Sequence, residues 1–283
     1  MSATDLNNEI PFGAPAVLVT REPQNGLKLT LGAGIKPEYA KKVSLNAAEY
    51  DAVADSYAEI TLQHAAAEQQ RIEHAIALHA EGGARSNGTK IVADLGGAYG
   101  RDSEVWQAAG FKHVVLDVSL KLLKLGAQRN GGAVFMLGDM VTTPFRDKSI
   151  DIAWLSSTIQ HIPTVELNGL FKKIACALKP DGIGFVNYRQ WDDERAKSGF
   201  AKEGDMKSHE YRRAGTNDNT VTRFMAHYTA MELASELSKA GLTILATKSY
   251  PAGYPVRKLD RKPQTNFSAP YPPAKGMIFF KRQ

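Results

Sequence analysis

Apolar residues along the middle of the chain alternate between strand-like and helix-like spacing. Short apolar runs predict strands at residues 90–95, 112–117, 133–137, 150–155 and 183–189. Between them, apolar residues at helical spacing predict helices at 102–109, 119–129 and 164–178. Alternating strands and helices are typical of a parallel sheet with helices on both faces, so the pattern predicts an α/β fold.

The C-terminal part predicts two further strands. Thr229 and Glu232 have the spacing of a capping box, and the helix after them should end at Gly241. Strands are expected at 242–249 and 276–281, the second reached by a hairpin-like return. Together these patterns predict seven strands, with the last one antiparallel.

Two segments fall outside this repeat. The runs Ala16–Val19 and Leu27–Leu31 flank Asn25-Gly26, a hairpin signal, so residues 1–45 are expected to form an N-terminal arm. The arm would either cover the site or pack on a partner subunit, as in a homodimer. Residues 46–283 would form the main domain, beginning with a capping box at Asn46 and helix to about residue 80. Residues 190–227 are polar and read as an insertion, either a substrate-binding element or a mobile surface loop.

A glycine-rich turn follows the first strand of the repeat. It runs from Asp94 through Gly96, Gly97, Ala98 and Gly100 into a predicted helix. Such a turn brings backbone close to nucleotide-like cofactors at a helix N-terminus. Asp117 lies about 20 residues on, at the distance where an acid meets a ribose hydroxyl. The dinucleotide fingerprint is not met, because Ala98 replaces its second glycine, and Asp94 suits a cationic amino acid tail better than a pyrophosphate.

The turn resembles motif I of the class I S-adenosylmethionine-dependent methyltransferases, with Ala98 in place of the middle glycine. Val115–Ser119, Leu137–Met140, Ile150–Ile162 and Leu178–Gly182 resemble further motifs of that family, in the same order. The resemblance covers residues 46–283 and points to the small-molecule, ubiquinone-biosynthesis-like branch. It implies a Rossmann-like seven-stranded sheet, S-adenosylmethionine as cofactor and methyl transfer as the reaction.

The resemblance also implies roles for individual residues. Asp117 would bind the ribose hydroxyls and Asp139 the adenine amino group, while a helix carrying Tyr50 and Tyr57 would either roof the cofactor or belong to the core. The predicted cofactor-binding residues are Asp94, Gly96, Gly97, Ala98, Gly100, Asp117, Val118, Asp139, Met140, Ser156 and Tyr57.

The residues that would contact the methyl acceptor are predicted from fewer signals than the cofactor residues. His161 is a candidate general base, since its intrinsic pKa suits proton transfer near neutrality, and the alternative is packing or cofactor contact. Aromatic faces and cations suit an anionic or aromatic acceptor. The predicted acceptor contacts are Tyr188, Trp191, Arg223 and Tyr228.

Composition narrows the class of protein. The single cysteine among 283 residues excludes a disulfide framework and a cysteine metal cluster, and no other metal-ligand spacing is found. No apolar run reaches the length of a membrane span, and the polar N-terminus is unlike a signal peptide, so a cytoplasmic protein is expected. The net charge of +5 is concentrated towards the C-terminus and is compatible with an anionic partner.

Three functions stay open at this stage. The first is methylation of a small molecule in a biosynthetic pathway. The second is RNA methylation, because residues 144–151 and 223–228 loosely resemble tRNA wobble-uridine methyltransferases, although Gln160 stands where that family has a histidine. The third is a non-catalytic binding module on a methyltransferase scaffold.

Overall fold

A computed structural model describes residues 16–22, 24, 26–62, 65–82, 88–142, 145–189, 210–214, 222–250 and 275–282. Its helices are α1 (Pro37–Ala52), α2 (Ala54–Leu62), α3 (Ala65–Glu81), α4 (Ser103–Ala108), α5 (Leu120–Arg129), α6 (Leu167–Ala177) and α7 (Ala230–Lys239). Its strands are β1 (Val17–Val19), β2 (Lys90–Leu95), β3 (Phe111–Asp117), β4 (Val134–Leu137), β5 (Ile150–Leu155), β6 (Leu178–Arg189), β7 (Glu210–Ala214), β8 (Thr222–Ala226), β9 (Leu242–Tyr250) and β10 (Lys275–Arg282).

The main sheet confirms the predicted Rossmann-like architecture. Its order is β1-β4-β3-β2-β5-β6-β10-β9. The five strands from β4 across to β6 are parallel, and β10 runs antiparallel between β6 and β9. The chain reverses direction across the sheet at β2, between β3 and β5, and such switch points form the ligand crevice of parallel sheets.

The sheet has eight strands rather than the expected seven, because part of the N-terminal segment joins it. Val17–Val19 pairs antiparallel with β4 and does not pair with Leu27–Leu31, which forms no strand. The expected N-terminal hairpin is therefore wrong for these residues. Pairing with an existing sheet buries Val19 against Val115 and Phe135, whereas an isolated two-stranded hairpin is marginal in water.

The first helix also begins earlier than predicted. Pro37 occupies its first turn, where a missing N–H costs nothing, and Asn46 lies inside it. Asn46 is therefore not a cap. Its side chain is buried, and its Oδ1 accepts a hydrogen bond from the backbone N–H of Phe224 at 2.8 Å. The second predicted capping box, at Thr229 and Glu232, is confirmed at the start of α7.

Alternate residues of the central strands face two separate cores. Ile91, Ala93 and Leu95 of β2 point to one face, whereas Val92 points to the other. On the second face, Trp154 stacks on Phe185 with ring centroids 4.0 Å apart, and Trp106 meets it edge-on. Both faces of the sheet are thus covered. No helix among the described residues is long and apolar enough to cross a membrane.

We expect two glycine-to-alanine changes in helices to have opposite effects on stability. A Cβ at Gly126 in α5 would lie 2.3 Å from the Phe135 ring and 2.6 Å from the Tyr99 carbonyl oxygen, whereas a Cβ at Gly169 in α6 meets nothing within 4 Å. Gly126→Ala should lose about 1–3 kcal/mol through overpacking. Gly169→Ala should gain up to about 1 kcal/mol. Urea unfolding followed by circular dichroism measures both, and equal stabilities would contradict the close packing at Gly126.

Candidate functional site

A cavity that is partly open to solvent lies where β2, β3 and β4 end at the same edge of the sheet. It brings together many of the predicted cofactor residues. Those that line it are Tyr57, Gly96, Ala98, Asp117, Val118, Asp139 and Met140. His161 lines it as well, and so do Tyr39, Val43, Asn46 and Tyr50 of α1. The lining does not include Asp94, Gly97, Gly100 or Ser156.

The glycine turn is shaped so that its backbone can approach a ligand. Gly96 has φ +78°, and a Cβ there would lie 2.0 Å from Thr158 Oγ1. Ala98 also has a left-handed φ, +54°, which costs an alanine roughly 1–2 kcal/mol. Its methyl group is buried in a cluster with Ala54 and Ala58 of α2, which offsets part of this cost. The replacement of the family's middle glycine is therefore accommodated without loss of the turn.

Asp94 supports the turn from behind and is not part of the cavity wall. A Cβ at Gly97 would lie 2.5 Å from the Asp94 carboxyl carbon. The Asp94 carboxylate also lies 3.2 Å from His113 Nε2, and His113 Nδ1 lies 2.8 Å from Ser103 Oγ. All three side chains are buried. This arrangement fixes the turn against β3 and the start of α4.

The Asp117 carboxylate lies at the end of β3 and lines the cavity. Its Oδ2 accepts from the N–H of Ala98 at 2.9 Å and its Oδ1 from the N–H of Ser119 at 2.8 Å. Burial raises the pKa of this carboxyl to about 6, although the backbone hydrogen bonds act in the opposite direction. Each carboxylate oxygen can accept more than one hydrogen bond, so lone pairs are left for two hydroxyl groups.

Asp139 has one satisfied oxygen and one orphaned oxygen. Its Oδ1 accepts a hydrogen bond from the Tyr39 hydroxyl at 2.7 Å. Its Oδ2 is buried and has no hydrogen-bond partner within the described part of the chain. Leaving a buried acceptor unpaired costs about 1–3 kcal/mol or more. An N–H donor on a ligand, such as an adenine amino group, would remove this cost, so the residue fits the predicted cofactor.

His161 is held at both ring nitrogens. Its Nδ1 lies 3.0 Å from the carbonyl oxygen of Phe224. A carbonyl can only accept, so Nδ1 carries the proton and Nε2 of the neutral ring is an acceptor. The Tyr50 hydroxyl lies 2.8 Å from Nε2 and can donate to it. The N–H of the same residue, Phe224, donates to Asn46 Oδ1, so the imidazole is fixed between α1 and β8.

The structure places the predicted acceptor contacts differently. Tyr188 and Tyr228 do not line the cavity, because both rings are buried in the core. The Tyr228 hydroxyl donates to the carbonyl of Ile162, and the Tyr188 ring fills the space above Gly276. Arg223 pairs through its backbone with Arg213 in the β7–β8 ribbon, and its side chain lies outside the described part. Trp191 lies outside it as well.

Two polar cavity residues of α1, Tyr39 and Asn46, are not among the site residues predicted from the sequence. Tyr39 lies in a segment that was assigned to the N-terminal arm, and Asn46 was interpreted as a helix cap. The usable signal was their helical spacing with Val43 and Tyr50, since residues 39, 43, 46 and 50 share one helix face. Among the described residues, no group of three or more His, Cys, Asp or Glu side chains could hold a metal ion.

Comparisons with known proteins found similarity to methyltransferases. Residues 93–186 match the family model described as a methyltransferase domain. The demethylmenaquinone methyltransferase of Renibacterium salmoninarum is 35% identical over 71 residues, which are 25% of this chain and 30% of that protein. The malonyl-[acyl-carrier protein] O-methyltransferase of Erwinia pyrifoliae is 29% identical over 99 residues, 35% of this chain and 37% of that protein. The matched stretches thus span about a third of the length of these relatives.

Solved structures share the fold at low sequence identity. Magnesium protoporphyrin IX methyltransferase from Synechocystis PCC 6803, with bound SAH, has a TM-score of 0.55 and 14% identity, covering 86% of this chain and 100% of that one. A methyltransferase in complex with the Haloferax volcanii Trm112 activator has a TM-score of 0.55 and 17% identity, covering 83% of this chain and 96% of that one.

We expect the affinity for S-adenosylhomocysteine to fall as the pH drops below about 6. The bound ribose favours the ionised form of Asp117, whereas burial raises the pKa of the free carboxyl. Affinity should therefore be full above this pH, and binding should release a proton below it. The loss from this one group approaches about tenfold per pH unit. Calorimetry in buffers of different ionisation enthalpy measures both the affinity and the proton release.

Asp117→Asn provides the control for this pH dependence. The amide does not titrate, so the variant should bind more weakly at pH 7.5 and should lose the proton release that Asp117 contributes. Asp139, whose pKa is also raised by burial, would account for any remaining pH dependence. An unchanged proton release in Asp117→Asn would contradict the assignment of Asp117 to the ribose.

Proposed function

We propose that the chain, whose residues 93–186 match a methyltransferase domain, is a class I S-adenosylmethionine-dependent methyltransferase that methylates a small molecule in a biosynthetic pathway. The observation that supports this most is the cavity wall, which includes Tyr39, Tyr50, Tyr57 and His161. None of its described lining residues is Lys or Arg. An aromatic cavity of this kind suits a small acceptor better than a nucleic-acid backbone, which requires cations.

Three groups of the chain would hold the cofactor. Asp117 would accept from the ribose hydroxyls, Asp139 would accept from the adenine amino group, and the backbone around Gly96 would face the amino acid tail. The sulfonium of S-adenosylmethionine supplies an activated methyl group for in-line displacement. What the protein then contributes is mainly proximity and alignment of the acceptor.

Tyr50 and His161 are the groups we propose for proton handling at the acceptor end. If the acceptor is a hydroxyl, its proton can pass to the Tyr50 oxygen while the Tyr50 proton passes to His161 Nε2. The distance of 2.8 Å between Tyr50 Oη and His161 Nε2 is that of a hydrogen bond. The Phe224 carbonyl then stabilises the resulting imidazolium through its Nδ1–H. With an acceptor that has no proton to lose, the same pair would only orient it.

We propose that the acceptor is aromatic or anionic and that Arg223 and Trp191 contact it from the insertion at 190–227. The relatives' names point to acceptors of different chemistry, a quinone precursor and a malonyl thioester carrier, so no single acceptor follows from them. A screen comes first: S-adenosylhomocysteine formation is measured with a panel of phenols, carboxylic acids, amines and quinols, and with bulk tRNA. Turnover on tRNA alone would contradict the proposal.

We expect His161→Ala to lower kcat/KM by less than about 100-fold, because alignment carries most of the rate. Tyr50→Phe is the matched variant, since it keeps the ring that packs edge-on against Tyr57 and removes only the hydroxyl. If the two residues act as one relay, the double variant should be little worse than either single variant. Rates across pH 6–9 on the acceptor found by the screen provide the test.

A much larger loss in His161→Ala, together with loss of pH dependence near neutrality, would make His161 an essential base. Additive losses in the double variant would show that Tyr50 and His161 act independently. Affinity for S-adenosylhomocysteine, measured alongside, should change little in either variant if the pair serves the acceptor rather than the cofactor.

A further inference from the structure

Tyr39 on α1 has no role in the site predicted from the motifs, yet its hydroxyl makes a hydrogen bond to one of the site's carboxylates. Its ring is 3% exposed, and its hydroxyl donates to Asp139 Oδ1 at 2.7 Å. We propose that Tyr39 is a positioning residue that fixes Asp139 so that Oδ2 is presented to the adenine amino group. The proposal rests on the proposed binding of adenine at Asp139 and names a further residue of that site.

The two oxygens of Asp139 have different surroundings, and this difference carries the argument. Oδ1 is satisfied by Tyr39, whereas Oδ2 is buried without a hydrogen bond of ordinary geometry in the described residues. The N–H groups of Val141 and Thr142 lie close enough to favour the charged form of the carboxyl. The backbone is fixed separately, because the Asp139 carbonyl accepts from the N–H and the hydroxyl of Thr142. Tyr39 therefore decides which oxygen is left for a ligand.

Charge considerations favour the same role. A protonated Asp139 would present a donor to the adenine amino group, which is itself a donor. Burial raises the pKa of Asp139, and the hydrogen bond from Tyr39 opposes this shift. Tyr39 keeps its proton and can donate it to Asp139, because burial and the neighbouring carboxylate raise the pKa of its phenol far above the ordinary value. The hydrogen bond from Tyr39 thus favours the ionised form of Asp139, which accepts.

Tyr39 is held in place by the rest of α1 rather than by a ligand. Further along the helix, Asn46 binds the N–H of Phe224 and Tyr50 lies at hydrogen-bond distance from His161. At the end of the helix, Asp51 Oδ1 accepts from Ser119 Oγ at 2.6 Å and from the N–H of Lys121 at 2.9 Å. A helix anchored at these points gives Tyr39 a fixed position before any cofactor binds.

The test compares two ligands that differ at the adenine amino group. S-adenosylhomocysteine has this donor, whereas S-inosylhomocysteine carries an oxo group there. Calorimetry on the full chain at pH 7.5 should show that the wild type prefers S-adenosylhomocysteine. Tyr39→Phe should lower the affinity for S-adenosylhomocysteine by about tenfold and change the affinity for S-inosylhomocysteine much less, so that the ratio of the two affinities shrinks.

Tyr99→Phe is the matched control. It removes another buried tyrosine hydroxyl, one that donates to the carbonyl of Ala58 at 3.1 Å, and neither residue lines the cavity. It should leave the ratio of the two affinities unchanged, whatever it does to the melting temperature. If Tyr39→Phe lowers the affinity for both ligands equally, or for neither, Tyr39 only anchors α1 and the positioning role is wrong.

Asp139→Asn separates this failure from a failure of the adenine site. If the asparagine variant keeps both the affinity and the preference for S-adenosylhomocysteine, adenine does not bind at Asp139 and the assignment under the proposed function is wrong. If Asp139→Asn loses the preference and Tyr39→Phe keeps it, the adenine site stands and the role of Tyr39 is overturned. Loss of the preference in both variants supports the inference.

Discussion

Three carboxylates are buried at one edge of the sheet, and the elements around them supply the donors that this burial demands. Asp94, Asp117 and Asp139 are 5%, 9% and 2% exposed. Burying a charge is costly unless it is paired and hydrogen-bonded. Asp117 accepts hydrogen bonds from N–H groups of the glycine turn and of the N-terminus of α5. A ring nitrogen of His113 lies beside Asp94, and the Tyr39 hydroxyl of α1 donates to Asp139. The positions of these elements therefore follow from the same constraint that makes the edge able to bind a cofactor.

Helix α1 is the element that joins the two ends of the cavity. One of its faces carries a tyrosine at Asp139, an asparagine at the Phe224 peptide and a tyrosine at His161. Its last turn places a carboxylate at the N-terminus of α5, where the helix dipole favours negative charge. Because these contacts share one helix, Asp139 at one end of the cavity and His161 at the other are held in a fixed relation.

The sequence was sufficient to predict those elements whose structure follows from the local pattern of apolar residues. Continuous apolar runs predicted β2 and β5 with their bounds, and the register of a parallel sheet then placed Asp117 and Asp139 at one edge. Prediction failed where the partner is distant along the chain. Asn46 has the local appearance of a cap, but its partner is 178 positions away. Tyr188 and Tyr228 stand on either side of the polar segment 190–227 and were predicted as acceptor contacts. Their rings are buried instead, against Gly276 and with a hydrogen bond to Ile162, and both partners are distant along the chain.

The family match covers only part of the site. Residues 93–186 contain Asp94, Asp117 and Asp139, the carboxylates proposed to face the cofactor. His161 lies within this stretch as well, but Tyr50 of α1 and Phe224 of β8, which hold it, lie outside. A methyltransferase domain binds one cofactor but serves many acceptors, so the groups that choose the acceptor are expected where similarity ends. The relatives can therefore support the cofactor and the reaction, whereas the acceptor has to be argued from α1 and from the segment that contains β8.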